Sequence, residues 1–407
     1  MKKLTLLLVF CFLLPCLFAP ASLTAMDGWW RMPDRGLEIG LAHTSIGISN
    51  DFLTFKDIFQ ETILFDLDKL KDGFNMNLEA SVVPFYFQYN NKSNNWGFGL
   101  SFKIDAAGIL GLNGSMISFS EAKNAETDVS GAAFVEANLN VYFPIFKLKV
   151  KIAPSVFYPV AFIDPKISYT NKQTDGGTQL KIDYNIRMYT PFSYDKSGSL
   201  DFSSISGTPG VDLNIGLEFP LGDALGWTKK SKLLNFNLGL DAFNIPLVPA
   251  QLYDYMEVSG QIGGDKAIDI FSDDGFGALF GSDMFSSSTS SEKAGILRPF
   301  KLMFWAGWQP LGAFLNIVPT VGFSINPFYV NKFSIEYGIK VQLDFGNIFI
   351  ITYGTGYYDR LWKNSLDIAL NFRLLEINFG VDLRSSDFIK SWQGGGLGVN
   401  VGLKFGW

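Results

Sequence analysis

The chain has 407 residues, 47% hydrophobic and 15% aromatic, with 41 Gly, 39 Phe and a formal charge of −6. That acidic balance excludes the basic footprint of a nucleic-acid-binding protein, and beyond the N-terminal segment no apolar run is long enough for a membrane helix. Both cysteines, Cys11 and Cys16, lie in that segment, so disulfides, cysteine-ligated metals and a cysteine nucleophile are excluded from the rest.

In chain order, Lys2 and Lys3 precede an almost unbroken apolar run over residues 4–17. The small residues Ala19, Ala21, Ser22, Thr24 and Ala25 come next. Charge, apolar stretch and small-residue exit are the order of a secretory signal peptide. Residues 1–25 are therefore expected to be removed, with cleavage after Ala25 or, alternatively, Ala21. Pro15 interrupts the run and no stop-transfer charges come after it, which argues against an uncleaved anchor. Residues 26–407 remain as one domain of charge −8, with 31 basic against 39 acidic residues once Lys2 and Lys3 are gone.

A first strand is expected over residues 37–49. Residues 50–73 then break the β rhythm. Phe52, Phe55, Ile58, Phe59, Ile63, Leu67 and Leu70 keep helical spacing, Asn50 or Asp51 can cap the start, and Gly73 can close the end. This short N-terminal helix must bury its apolar stripe. It is expected either in a barrel lumen, as a plug carried by Phe52, Phe55, Phe59, Ile63 and Leu67, or at the periplasmic rim as a packing element.

Period-2 alternation governs the remainder of the chain. Phe98, Leu100, Phe102 and Ile104 share one face, as do Val135, Ala137, Leu139, Val141 and Phe143, and Leu148, Val150 and Ile152. The series continues with Val211 to Phe219, Phe300 to Trp308 and Leu315 to Ile325. Phe333, Ile335, Tyr337, Ile339, Val341, Leu343 and Phe345 alternate with Ser334, Glu336, Gly338, Lys340, Gln342 and Asp344. Seven consecutive apolar positions on one face exceed the usual soluble strand of about 5–6 residues, whereas a tilted membrane strand needs about 9–11. Gly346-Asn347 supplies a turn. Near Leu374 and Leu375 the apolar parity flips from even (Leu366, Ile368, Leu370, Phe372) to odd (Ile377, Phe379, Val381, Leu383). A tight hairpin that keeps both apolar faces on one side does this. Polar stretches over residues 118–131, 169–179, 193–207 and 273–293 are expected as long extracellular loops, and the short turns as periplasmic ones. The fold class expected is all-β: a transmembrane antiparallel β-barrel of about 14–16 strands.

The final strand sets Val399, Val401, Leu403, Phe405 and Trp407 on one face and Asn400, Gly402, Lys404 and Gly406 on the other. A strand ending in an aromatic residue in this way resembles the insertion signal read by the outer-membrane barrel assembly machinery. Further motifs are Asn326-Pro327-Phe328-Tyr329, Gly354-Thr355-Gly356-Tyr357-Tyr358-Asp359-Arg360-Leu361-Trp362-Lys363, the run from Leu383-Arg384-Ser385-Ser386-Asp387 through Gly394-Gly395-Gly396 to Gly402, and Ser49-Asn50-Asp51-Phe52-Leu53. Together they resemble an uncharacterised family of bacterial outer-membrane β-barrels. That family is allied to the long-chain fatty acid transporter and to the barrel scaffold of a protein secretion system. The resemblance implies a single barrel in the outer membrane, and a transporter or channel for a small molecule, with a hydrophobic one among the candidates. The alternative it leaves open is a plugged barrel serving as a scaffold for an envelope protein partner. Outer-membrane lipid and the assembly machinery are the other partners implied.

No catalytic, cofactor-binding or metal-binding constellation is read from the residues. His43, the single histidine, shares parity with Leu37, Ile39 and Leu41, and no partner for it can be named from sequence. Asp269, Asp273 and Asp274 near Gly275 lack calcium-loop spacing. An enzyme is therefore not expected.

Overall fold

A computed structural model of the chain describes residues 35–50, 73–91, 93, 95–113, 122–123, 128–174, 177–194, 200–228, 231–263, 286–329, 331–372 and 374–407. The expected signal peptide and the helix-spaced segment, including Phe52, Phe55, Phe59, Ile63 and Leu67, lie outside the described residues, as do Asp269, Asp273 and Asp274.

The strands are β1 (Leu37–Asn50), β2 (Gly73–Asn91), β3 (Trp96–Asn113), β4 (Ala122–Lys123), β5 (Asp128–Ile145), β6 (Leu148–Thr174), β7 (Gly177–Thr190), β8 (Phe192–Tyr194), β9 (Leu200–Ile205) and β10 (Gly210–Phe219). They continue as β11 (Phe236–Val248), β12 (Ala250–Gly263), β13 (Ser286–Ile296), β14 (Phe300–Trp308), β15 (Leu315–Ile325), β16 (Phe333–Phe345), β17 (Phe349–Tyr358), β18 (Leu361–Phe372), β19 (Leu375–Ser385) and β20 (Gly396–Gly406). Among the described residues the α-helices are α1 (Leu221–Ala224) and α2 (Phe388–Trp392).

Pairing is antiparallel throughout, and β1 bonds to both β2 and β20, which closes the sheet on itself. Counted around the wall, the described residues form a closed barrel of 14 strands. Three wall positions are built from two collinear pieces. β7 and β10 both pair with β6, at different heights. β12 prolongs β11 past Pro249, and β13 leads into β14 through residues 297–299. Leu37 bonds to Trp407, so both described chain ends stand at one rim, here the terminal rim. Asn50 and Gly73 stand at the far rim.

Alternation decides which side chains face out. In β3, Phe98, Leu100, Phe102 and Ile104 are exposed, while Gly97, Gly99, Ser101 and Lys103 between them are buried. Apolar outside and polar inside inverts the soluble pattern, and it repeats in β16, where Phe333, Ile335, Tyr337 and Ile339 are exposed and Glu336 is buried. The parity flip at residues 372–377 is the β18–β19 hairpin, with Phe372 opposite Leu375. Gly346 and Asn347 take positive φ (68° and 59°) in the β16–β17 turn, and the Asn347 N–H donates to Asp344 Oδ1 at 2.6 Å. The β17–β18 hairpin turns on Asp359 and Arg360, both left-handed at φ 53° and 64°, as a two-residue connection matched to strand twist requires.

Within the described residues, three stretches expected as loops are largely strand. β6 and β7 run through most of residues 169–179, β13 takes in the serine-rich run from Ser286, and residues 193–207 contain most of the β8–β9 hairpin. Serine is a poor strand former, but main-chain bonds to β12 along the whole of β13 outweigh that preference.

Candidate functional site in the barrel lumen

Inward positions carry charged, amide, hydroxyl and glycine residues, and several glycines exist to be covered. Tyr86 lies flat over Gly40: a Cβ there would sit 1.7 Å from the ring. From that position the Tyr86 hydroxyl donates to Glu38 Oε1 at 2.8 Å, both groups buried. Gly47 likewise faces the Arg384 guanidinium, 2.1 Å from where its Cβ would be. Small residues on one strand thus admit long side chains from another into a narrow interior.

Toward the far rim an ion network crosses between wall strands that are not neighbours. Lys363 of β18 and Arg384 of β19 both donate to Glu79 of β2, at 3.0 Å and 2.7 Å. Arg384 also pairs with Asp382 at 2.5 Å. Lys301 of β14 contacts Asp359 Oδ1 at 2.5 Å and Glu336 at 3.3 Å, while Lys363 reaches Asp359 Oδ2 at 3.8 Å. These side chains are nearly all buried, so each charge is compensated by geometry rather than by water. Burial alone would push the Asp359 carboxyl up. Lys301 and Lys363 overcome that and hold it below the usual carboxylate range.

A second charged node hangs from Arg298, in the link between β13 and β14. Its Nε donates to Asp212 Oδ2 of β10 at 2.6 Å and its Nη2 to Ser155 Oγ of β6 at 3.0 Å, and Nη1 pairs with Glu136 of β5. The guanidinium also lies 4.8 Å from the ring centre of Phe157. That ring belongs to an apolar cluster with Ala132, Phe134, Tyr189, Ala250, Leu252, Tyr255, Ile296 and Phe328.

Phe328 comes from the link between β15 and β16. Its carbonyl accepts from Ser130 Oγ of β5 at 2.8 Å, so this link crosses the mouth from one wall to another. Arg360 covers the Tyr329 ring at 4.1 Å. Nearer the terminal rim, Phe243 of β11 meets Val83 and Tyr86 of β2 and Ala153 of β6. β2 and β11 stand five wall positions apart, so this apolar contact spans the lumen as well.

Of the residues singled out in the sequence, those of the final strand lie where alternation places them. β20 pairs with β19 and β1, with Val401, Phe405 and Trp407 exposed and Val399 and Leu403 half-buried on the outer face. His43 lies against Gly402 in the lumen, its Nδ1 2.2 Å from where that glycine's Cβ would be. Sequence reading missed Glu79, Glu136, Arg298, Phe243 and Phe328 as lumen groups. Inward parity could have found the first two. Arg298 and Phe328 stand outside strands, where no periodicity assigns a side, and Phe243 adjoins a left-handed Asn244 (φ 53°) where the register shifts.

By sequence, the chain matches neither a family model nor a curated relative. By structure it is similar to the CymD monoaromatic hydrocarbon channel, at a TM-score of 0.50 and 7% identity over 96% of this chain and 94% of that one. It is also similar to a deltaS2S3 mutant of the TodX monoaromatic hydrocarbon channel, at 0.50 and 10% identity over 92% and 90%. The Pseudomonas putida toluene transporter TodX gives 0.49 at 10% identity over 92% and 91%. At such identities the likeness is one of fold: this chain has the closed β-barrel architecture of those channels.

Proposed function

We propose that the protein is an outer-membrane channel for small apolar molecules. The observation that carries this reading is the lumen itself, where apolar clusters around Phe157 and Phe243 are stacked with charged nodes inside one closed wall. A water-filled pore for ions has no use for buried phenyl groups. A barrel serving only as a membrane anchor has no use for buried charges that cost several kcal/mol each to desolvate. The apolar outer face supports a lipid surround, and the short turns at the terminal rim support placing that rim on the periplasmic side. The likeness to the CymD and TodX hydrocarbon channels points the same way. The side chains that bridge the lumen describe a closed state, so passage requires them to move.

The test is accumulation of a radiolabelled apolar probe such as naphthalene by cells expressing the barrel, against cells carrying an empty vector. Faster accumulation is expected, and Phe243→Ala should raise it further by removing the lower bridge. Equal rates with and without the barrel would defeat the reading. The scaffold alternative predicts those equal rates together with co-purification of an envelope protein.

A further inference from the structure

The apolar cluster has a floor of a definite chemistry. The Phe157 ring lies over Gly210, whose Cβ would sit 2.2 Å from it, and Asp212 is the next inward residue of β10. Asp212 is fully buried. Its Oδ2 accepts from Arg298, but its Oδ1 has no hydrogen-bond partner. Arg298 is itself engaged through all three nitrogens, by Asp212, Glu136 and Ser155. Lys103, opposite Glu136 in the register, is held by Asp105 at 2.8 Å. Two cations therefore face three carboxylates, a surplus of one negative charge beneath an apolar cluster.

Below this floor the next inward residues of β5 and β10 are amides. Asn138, Asn214 and Asn140 continue along β5 and β10, and Ser101 stands opposite Asn138. Asn214 donates to Asn138 at 3.4 Å. Asn140 is 1% exposed with neither side-chain polar atom bonded, and the Ser101 hydroxyl is also buried without a partner. Buried polar atoms left unbonded are costly, roughly 1–3 kcal/mol each, and call for an explanation beyond packing.

From this we infer that the cluster and its floor form a binding site for an apolar molecule with an uncharged hydroxyl head, an alcohol or a phenol. The apolar body lies among Phe134, Phe157, Leu252 and Phe328, and the hydroxyl donates to Asp212 Oδ1. A carboxylate head would meet Asp212 and Glu136 with no free cation to receive it. An ammonium head would suit the charge surplus at Asp212, but it brings three donors to one unbonded oxygen and must be stripped of its water, at far greater cost than a hydroxyl with its single donor. The amides and hydroxyls of Asn138, Asn140, Asn214 and Ser101 are the partners a hydroxyl head exchanges as it descends. This rests on the lumen being a path for small apolar molecules.

The experiment is isothermal titration calorimetry of the full chain in lipid nanodiscs, with empty nanodiscs as the blank and octane, 1-octanol, octanoate and octylamine as probes at pH 8. Octanol is expected to bind at least tenfold tighter than octanoate and more tightly than octane and octylamine. Asp212→Asn and Glu136→Gln each remove the surplus charge and are expected to close most of the gap between octanol and octanoate. Octanoate or octylamine binding as tightly as octanol to the unaltered protein would overturn the inference, as would octane matching octanol, which would leave the channel reading standing. No probe binding above the blank would overturn both.

Discussion

Gly40 and Tyr86 show how a single missing Cβ shapes the interior. With nothing on Gly40, the tyrosine ring lies on the opposite strand and delivers its hydroxyl to Glu38. Gly40→Val should displace the ring, strip Glu38 of its donor and lower stability by about 1–3 kcal/mol. A urea titration in liposomes would show this as a lower midpoint at unchanged slope. Glu79 is the complementary case, one carboxylate answering two cations. Glu79→Gln leaves Lys363 and Arg384 short of a partner and should cost roughly 3 kcal/mol. The same titration measures it, and a shift below about 1 kcal/mol would mean the cations find other partners. Asp359 adds a pH dependence. Its carboxyl is held below the ordinary aspartate range, so its contribution is complete above that ordinary value and is lost as pH falls through the depressed one. The rim contacts to Lys301 and Lys363 should therefore survive mild acid and loosen only below the ordinary aspartate range, which amide exchange of residues 359–363 would monitor. Asp359→Asn should remove that acid step.

A strand in this wall is legible from its own residues. Alternation in β3 and β16 assigns every side chain to lipid or lumen, because the side-chain period of a strand is two and a bilayer cannot satisfy polar groups. Phe102→Lys, on the outer face of β3, should cost about 2–4 kcal/mol if the position lies near the bilayer midplane. Lys103→Leu one residue away faces the lumen and should instead release Asp105. Comparing the two variants by urea unfolding in liposomes tests the assignment: equal effects would contradict it. Legibility fails where an element owes its form to a neighbour. The serine-rich β13 has no strand signature and exists because β12 offers it a ladder. The 27-residue β6 reads as a strand and a loop, yet runs unbroken because β5 and β10 cover its lower part and β7 its upper part.

At the scale of the whole molecule, the described residues bridge the lumen at several levels. Ion pairs near the far rim, the Arg298 node under an apolar cluster, and the Phe243 contact near the terminal rim each join strands distant around the wall. The sequence by itself determined the fold class and a strand count whose range includes the observed one, the inward and outward face of most strands, the hairpin turn at residues 346–347 and the presence of another near Leu374. These come from short-range periodicity and turn chemistry, which depend on residues a few positions apart. Only the tertiary structure decided that β7 and β10 share one wall position and that Phe328 reaches across the mouth to Ser130. It alone brought Glu79 to Lys363 and Arg298 to Glu136, 284 and 162 residues apart in the chain. Closure of the sheet makes such pairs: wall position and register together choose which inward side chains meet, and no local pattern encodes that choice.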